Sequence, residues 1–198
     1  MQSKKIVSMI ASALAGIVLC GALVYYNFID NAISTTLQVG DNCPNFTVNT
    51  YKVEGGEFKT GGEPFTLSDH LGKVVVINFW ATYCGPCIAE LPEFDQIQKA
   101  YADDVVVITL DGERSFSEER LAMWLNMNSA PVNANWKEFS ITFGRYEEEE
   151  NNVYNLLGFS SGALPATMIV NHVGEVVFMK EGSMHYADLE QKLLPLLK

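Results

Sequence analysis

The sequence predicts an α/β fold with a mixed central sheet and helices on both faces, plus one N-terminal transmembrane helix. Two observations predict the sheet: apolar strand-like runs alternate with helical patterns, and a hairpin pattern follows near the C-terminus. Alternating strands and helices favour a mainly parallel sheet, and the hairpin adds antiparallel strands. A third observation, one long uncharged segment at the N-terminus, predicts the membrane helix. The expected order of the domain is β-α-β-α-β-α-β-β-α.

The N-terminal segment is uncharged from Ile6 to Phe28 and follows Lys4 and Lys5. At about 1.5 Å per residue it is long enough to span the roughly 30 Å hydrocarbon core of a bilayer. The lysines place the N-terminus in the cytoplasm by the positive-inside rule, so the rest of the chain is expected outside it. Two alternatives are a cleaved signal peptide and a lipoprotein acylated at Cys20.

The chain of 198 residues is long enough for one domain and this appendage. We expect a transmembrane anchor over residues 1–30, a tether over 31–38 and a folded domain over 39–198. The formal net charge is −11, and the anchor side contributes positive charge, so the domain itself is more acidic still. Nucleic-acid binding is therefore not expected, because phosphate contacts need clustered Lys and Arg.

Periodicity and turn residues predict the elements of the domain in order. The run 74–80 is almost continuously apolar, as expected for a strand covered on both faces. From Cys84 to Ala100 apolar residues recur at helical spacing, and Pro92 within this stretch predicts a kink. Ser117 followed by two glutamates predicts a capped helix to about Met127. The other expected elements are strands at 46–48, 65–67, 105–110, 139–143, 166–170 and 175–180, and helices at 147–157 and 186–197.

A pair of cysteines, Cys84-Gly85-Pro86-Cys87, follows the predicted strand and opens the predicted helix. A thiol at a helix N-terminus lies near unpaired backbone N–H groups and the positive end of the helix dipole, and both favour the thiolate. The second cysteine is close enough to resolve a mixed disulfide. Such a pair can instead be half of a zinc site, but no second pair exists, and the histidines show no ligand spacing. Cys43 has no evident partner and is expected to be a small apolar filler.

Together these residues resemble the membrane-anchored thioredoxin-like family of the TlpA/ResA type. The resemblance runs from Val39 to the C-terminus and implies a thioredoxin-like fold and a thiol–disulfide oxidoreductase without a cofactor or metal. Its partners would be disulfide-bearing client proteins and a membrane thiol that donates electrons. It rests on four segments in order: Val39-Gly40-Asp41 with Pro44 and Phe46, the run 76–87, Glu90-Leu91-Pro92, and Leu164-Pro165-Ala166-Thr167.

The resemblance also implies roles for individual residues. Cys84 would be the nucleophile and Cys87 the resolving thiol, and the two would cycle between dithiol and disulfide. Pro165 would form a cis peptide bond, where the alternative is an ordinary trans turn proline, and it would present the backbone of Leu164 to a client. Further contacts with the client are expected from Trp80, Tyr83 and Pro86, with Tyr83 standing where many relatives carry Trp.

The dipeptide Gly85-Pro86 between the cysteines is that of thioredoxin itself, which favours the reducing direction. Thioredoxin and the strong oxidant DsbA differ by about 150 mV, or about 7 kcal/mol for two electrons, although the surroundings of a pair also set its potential.

Proton transfer is expected at Glu90. Thioredoxin itself uses a buried Asp in the strand before its cysteines, and the matching residue here is Asn78, which does not titrate. Glu90 lies three residues beyond Cys87 on nearly the same helix face. If it is buried, desolvation raises its pKa and it can relay protons to and from Cys87. An exposed Glu90 would only favour the early turns of the helix.

The leading prediction is a membrane-tethered, extracytoplasmic oxidoreductase that reduces protein disulfides. Candidate clients are apocytochrome c cysteines and oxidised repair enzymes such as methionine sulfoxide reductases. One alternative is a thiol peroxidase, which usually wants a Thr three residues before the reactive Cys and an Arg nearby. Here Ala81 holds the first position, and the nearest downstream Arg is Arg114. The other alternative is a non-catalytic binding module on the same scaffold.

Overall fold

The fold is taken from a computed structural model that describes residues 36–113, 115–127, 135–146 and 152–197. Its strands are β1 Thr47–Thr50, β2 Lys52–Glu54, β3 Glu57–Lys59, β4 Phe65–Thr66, β5 Val74–Trp80, β6 Val105–Asp111, β7 Thr142–Arg145, β8 Ala166–Val170 and β9 Val176–Glu181. Its α-helices are α1 Gly85–Ala100, α2 Glu118–Met127, α3 Val153–Leu156 and α4 Tyr186–Leu193.

Seven of these strands form one sheet in the order β4-β1-β7-β6-β5-β8-β9, and β2 and β3 form a separate hairpin. The central strand β5 runs parallel to β6 and antiparallel to β8. The mixed sheet is therefore confirmed. All residues of β5 are buried, which explains why the run reads as continuously apolar.

The sheet is covered on both faces because successive strand residues point to opposite sides. Val76 and Trp80 of β5 pack on one side with side chains of α1, α2 and α4. Val75 and Phe79 pack on the other side with α3 and the N-terminal strands. Helices on both faces are thus also confirmed, and the cysteine pair lies on the α1 side.

Several elements differ from the prediction for local reasons. The hairpin β2–β3 was not predicted as strands, although Gly55 and Gly56 at its turn both have the positive φ that such a tight turn requires. The third strand was expected at 139–143 but lies at 142–145, after the 3-10 turn Trp136–Glu138 and an irregular segment at 139–141. The last helix ends at Leu193 and tightens into a 3-10 turn that contains Pro195.

The predicted anchor, Cys20 and most of the predicted tether lie outside the described residues, as do residues 147–151 of the predicted helix at 147–157. Within the described part of the chain, no helix is long and apolar enough to cross a membrane.

Candidate active site

Cys84 and Cys87 are joined by a disulfide at the N-terminus of α1. Cys84 is the N-cap residue, and its Sγ accepts a hydrogen bond from the backbone N–H of Cys87 at 3.2 Å. Cys84 is 7% exposed, whereas Cys87 is completely buried. A sulfur arriving from solvent therefore meets Cys84 first, and the same N–H and the helix dipole would stabilise a thiolate there.

The chain between β5 and α1 places this disulfide at the carboxyl edge of the sheet. The backbone N–H of Cys84 bonds to the carbonyl of Ala81 at 3.0 Å, which closes a turn directly after the strand. Pro86 lies in the first helical turn, where its missing N–H would have had no helical partner. Pro86 and Tyr83 are both exposed beside the disulfide, Tyr83 at 74%.

The Leu164–Pro165 peptide bond is cis, as predicted. It directly precedes β8, the strand that pairs with β5. Pro165 is buried, and its carbonyl accepts a hydrogen bond from the N–H of Gly182 at 2.7 Å. Leu164 is half-buried and lines a cavity that Tyr83 also lines.

That cavity has a volume of about 470 Å³ and opens beside the disulfide. Glu113 is the charged side chain among its described lining residues, and its carboxylate accepts hydrogen bonds from the hydroxyls of Thr82 and Ser115, each at 2.5 Å. The rest of the lining is Trp80, Ala81, Tyr83, Gly112, Ser115, Tyr146, Tyr154, Gly162 and Leu164.

The loop that carries Glu113 is held by a buried ion pair. Arg145 at the end of β7 donates to Asp111 at the end of β6 at 2.8 Å, and both side chains are almost fully buried. Arg145 also donates to the carbonyls of Glu113 at 3.1 Å and Phe116 at 2.5 Å. Burial raises the pKa of Asp111, and the charge of Arg145 opposes that rise. The pair was not predicted.

Glu90, three residues beyond Cys87 on α1, is 2% exposed, so its expected burial is confirmed. Its Oε1 accepts from Asn78 Nδ2 at 2.8 Å, and its Oε2 accepts from the backbone N–H of Met184 at 2.9 Å. Burial raises the pKa of Glu90 to about 7, and these two hydrogen bonds oppose the rise. A carboxyl group with a pKa near neutrality is suited to accept and return a proton.

A second carboxylate one turn further along α1 holds the same C-terminal segment. Glu93 accepts from the backbone N–H of Tyr186 and lies 3.0 Å from Nδ1 of His185. Its hydrogen bond raises the pKa of His185. The sequence analysis missed Glu93 because the segment it binds lies more than ninety residues further along the chain.

The remaining residues of interest are placed as follows. Trp80 is 1% exposed and packs against Trp136 and Trp124, with ring centroids 6.1 and 5.8 Å away, so its indole is part of the core at the cavity wall. Cys43 is half-buried, and burial raises the pKa of its thiol to about 12. No group of three metal-ligating side chains occurs among the residues that the structure describes.

Glu113 was missed by the sequence analysis although a signal existed. It follows the end of β6 by two residues, and α/β sheets bind ligands at the carboxyl ends of their strands. The sequence does not show that Tyr83 is exposed or that Tyr83 and Leu164 line one cavity; both became apparent only from the fold.

Comparison with known proteins gives a consistent result. Residues 39–179 match the AhpC/TSA family. The chain is 29% identical to the thioredoxin-like protein YneN of Bacillus subtilis (strain 168), over 79% of each chain. It is also 29% identical to the thiol-disulfide oxidoreductase ResA of Geobacillus kaustophilus (strain HTA426), over 87% of this chain and 85% of that protein. Among solved structures, the exposed lipoprotein thioredoxin Etrx1 of Streptococcus pneumoniae strain TIGR4 is 25% identical with a TM-score of 0.57, covering 77% of this chain and 100% of that one.

Proposed function

The chain belongs to the AhpC/TSA family and is a thiol–disulfide oxidoreductase of the ResA type with a thioredoxin-like fold, and from this premise we propose that it reduces client disulfides through Cys84 and Cys87. The observation that carries the proposal is the asymmetry of the pair. Cys84 is the more exposed of the two and directly follows Tyr83, which lines the cavity, whereas Cys87 is fully buried and lies three residues before the buried Glu90. Such an arrangement separates the group that meets the client from the group that releases it.

The cycle starts from the dithiol. The Cys84 thiolate attacks one sulfur of the client disulfide; that bond breaks, and the other client sulfur leaves as a thiolate that takes a proton from solvent. Cys87 then gives its thiol proton to the Glu90 carboxylate, and its sulfur attacks Cys84. The mixed disulfide breaks, and the released client sulfur receives the proton. Two electrons have passed to the client, and the protein is left as the Cys84–Cys87 disulfide.

The electrostatic surroundings of the two sulfurs support separate roles for Cys84 and Cys87. The Cys84 sulfur lies at a helix N-terminus, where a negative charge gains about 0.3–1 kcal/mol and up to about 2 kcal/mol in partly buried geometries. Cys87 is fully buried, and burial disfavours its thiolate. It therefore needs a nearby base, and a carboxylate with a pKa of about 7 is matched to that task at physiological pH.

The proposed client site is the cavity beside Cys84. Tyr83 and Leu164 line it, the cis Pro165 directly follows Leu164, and Pro86 is exposed within the cysteine motif. Glu113 contributes a negative charge to the same cavity. We expect the preferred clients to carry a bulky apolar side chain near the reacting cysteine and a Lys or Arg close by.

The cellular setting is part of the same proposal. The uncharged segment 6–28 would tether the domain to the outer side of the cell membrane. Apocytochrome c cysteines and oxidised methionine sulfoxide reductases are candidate clients there. Because disulfides persist outside the cytoplasm, the protein would need a membrane thiol donor that returns it to the dithiol.

A trapping experiment tests the proposal. In the full-length Cys87→Ala variant the second step is blocked, so clients should accumulate as mixed disulfides with Cys84 that mass spectrometry can identify. The matched control is the Cys84→Ser/Cys87→Ala double variant, which should trap none. Equal adducts in both variants, or none in either, would contradict the assigned roles.

The peroxidase alternative is separated by a kinetic assay. Ala81 offers no hydroxyl three residues before Cys84, and the hydroxyl of the next residue, Thr82, is bound to Glu113. We expect hydrogen peroxide to oxidise the dithiol no faster than it oxidises an ordinary thiolate, while a client disulfide reacts much faster. The reverse order of rates would favour the peroxidase.

A further inference from the structure

Asn78 has an unsatisfied acceptor in a completely buried position. Its Nδ2 donates to Glu90 Oε1 at 2.8 Å and to Thr167 Oγ1 at 3.3 Å. Its Oδ1 has no hydrogen-bond partner among the described residues, although Asn78 is 0% exposed. Buried polar atoms are nearly always paired, so this carbonyl needs a physical explanation.

We propose that Asn78 is a positioning residue whose side-chain amide turns over by half a rotation when Glu90 changes its protonation state. The inference rests on the proposed function, in which Glu90 gains and loses a proton in every cycle. When Glu90 is a carboxylate, Oε1 only accepts, so Asn78 must present an N–H. When Oε1 carries the proton, it becomes a donor that faces the donor Nδ2.

The turn resolves that conflict without moving the backbone. The oxygen and nitrogen of an amide are nearly the same size, so exchanging them needs no extra volume in a packed core. After the turn, Oδ1 accepts from the protonated Glu90. The unpartnered carbonyl is thus the acceptor that the acid form of Glu90 uses.

Thr167 makes both orientations possible. Its hydroxyl is a donor and an acceptor, so it accepts from Nδ2 in one orientation and donates to Oδ1 in the other. A charged Asp at position 78 would lack this freedom, since it only accepts and would oppose an ionised Glu90.

The charged groups around Glu90 lie on the helix side of the site. Glu93 on α1 disfavours the ionised form of Glu90, and His185 in the segment before α4 favours it when protonated. Met184 contributes a backbone N–H, and the sheet contributes the neutral Asn78 and Thr167. Because the pKa of His185 is raised by Glu93, its titration must be controlled in any test.

The test uses the full-length oxidised protein in detergent, labelled with ¹³C and ¹⁵N, because the disulfide removes thiol titration. The titration of the Glu90 carboxyl carbon is followed together with the nuclear Overhauser effect between the Asn78 amide protons and the Thr167 methyl group. We expect this effect to weaken more than about fivefold as Glu90 becomes protonated, because Nδ2 swings away from Thr167. Equal intensity at both ends of the Glu90 titration would overturn the proposal.

Two controls identify the cause. In Glu90→Gln the nuclear Overhauser effect between Asn78 and Thr167 should stay constant with pH, because residue 90 no longer titrates. In His185→Gln the nuclear Overhauser effect should still change with pH, and the midpoint of that change should equal the midpoint of the Glu90 carboxyl titration. A pH-dependent effect in the first variant, or its loss in the second, would show that another group drives the amide. Neither result depends on client reduction, so failure of the proposed function would be seen separately in the trapping experiment.

Discussion

Two buried carboxylates lie on the same face of the sheet and have opposite partners. Asp111 is paired with the guanidinium of Arg145, whereas in the described part of the chain Glu90 accepts hydrogen bonds from the neutral amides of Asn78 and Met184. Burial raises the pKa of both carboxylates to about 7. At Asp111 the guanidinium charge opposes that rise, whereas at Glu90 the two hydrogen bonds oppose it. The difference lies in what each carboxylate holds: the ion pair of Asp111 supports the loop of the cavity, whereas Glu90 lies on the helix that carries the cysteines.

The largest expected effect comes from breaking the charged pair. Arg145→Met leaves Asp111 buried without compensation, which should lower the free energy of unfolding by about 3–5 kcal/mol in chemical denaturation. The exposed Lys52→Met is the matched control and should change it by less than about 1 kcal/mol.

A double variant sharpens the same comparison. Adding Asp111→Asn to Arg145→Met removes the uncompensated charge. The double variant should therefore recover a large part of the free energy of unfolding that Arg145→Met loses. Additive losses would mean that the two side chains act independently, contrary to the pairing.

The second effect concerns the pH dependence of stability. The pKa of Glu90 is raised in the folded protein from 4.5 to about 7, so folding favours its protonated form. The stability it contributes is complete below about pH 4.5 and is lost as the pH rises through about 7. Relative to Glu90→Gln, the oxidised wild-type protein should lose roughly 3 kcal/mol of unfolding free energy across that window. Parallel curves of unfolding free energy against pH for the wild type and Glu90→Gln would contradict a raised pKa of Glu90.

The third effect is kinetic. Glu90→Gln cannot take the proton of Cys87, so release of the client from the mixed disulfide should slow about 100-fold, while formation of the mixed disulfide is almost unchanged. Stopped-flow measurement of both steps separates them. Gln is close in size to Glu, and Asn78 can reorient toward it, so the fold of this variant should stay intact. Equal slowing of the first step would indicate a general loss of structure.

The smallest effect concerns Glu113 in the wall of the cavity beside Cys84. Glu113→Gln should lower kcat/KM about two- to fivefold for peptide disulfides that carry Lys beside the cysteine, since an exposed ion pair contributes at most about 1 kcal/mol. Peptides with Gln in place of that Lys are the control and should react equally with both proteins. An equal loss for both peptides would exclude a charge preference.

The sequence predicted the fold where its patterns are local. The continuous apolar runs predicted β5 and β8 with their observed bounds, and the residues between β5 and α1 predicted where the disulfide lies. The third strand begins three residues later than predicted, because the apolar pattern of 139–143 starts in the irregular segment that follows the 3-10 turn. Local pattern does not distinguish the two when a segment is this short.

The site was predicted less completely because its decisive contacts are distant in sequence. The N–H of Met184 that reaches Glu90 lies 94 residues along the chain, and Arg145 lies 34 residues beyond Asp111. Spacing along one helix suggested that Glu90 faces Cys87. Only the three-dimensional fold supplies the burial that raises the pKa of Glu90 and the neutral amides of Asn78 and Met184 that donate to its carboxylate.

The contact between Met184 and Glu90 has a consequence for how the protein is made. Ribosomal synthesis delivers the chain from its N-terminus, so the two cysteines emerge about a hundred residues before the amide of Met184 that donates to Glu90. A nascent chain therefore carries both thiols before it carries the backbone amide that binds Glu90. The environment of Glu90 is complete only when the segment before the last helix has been made and has docked.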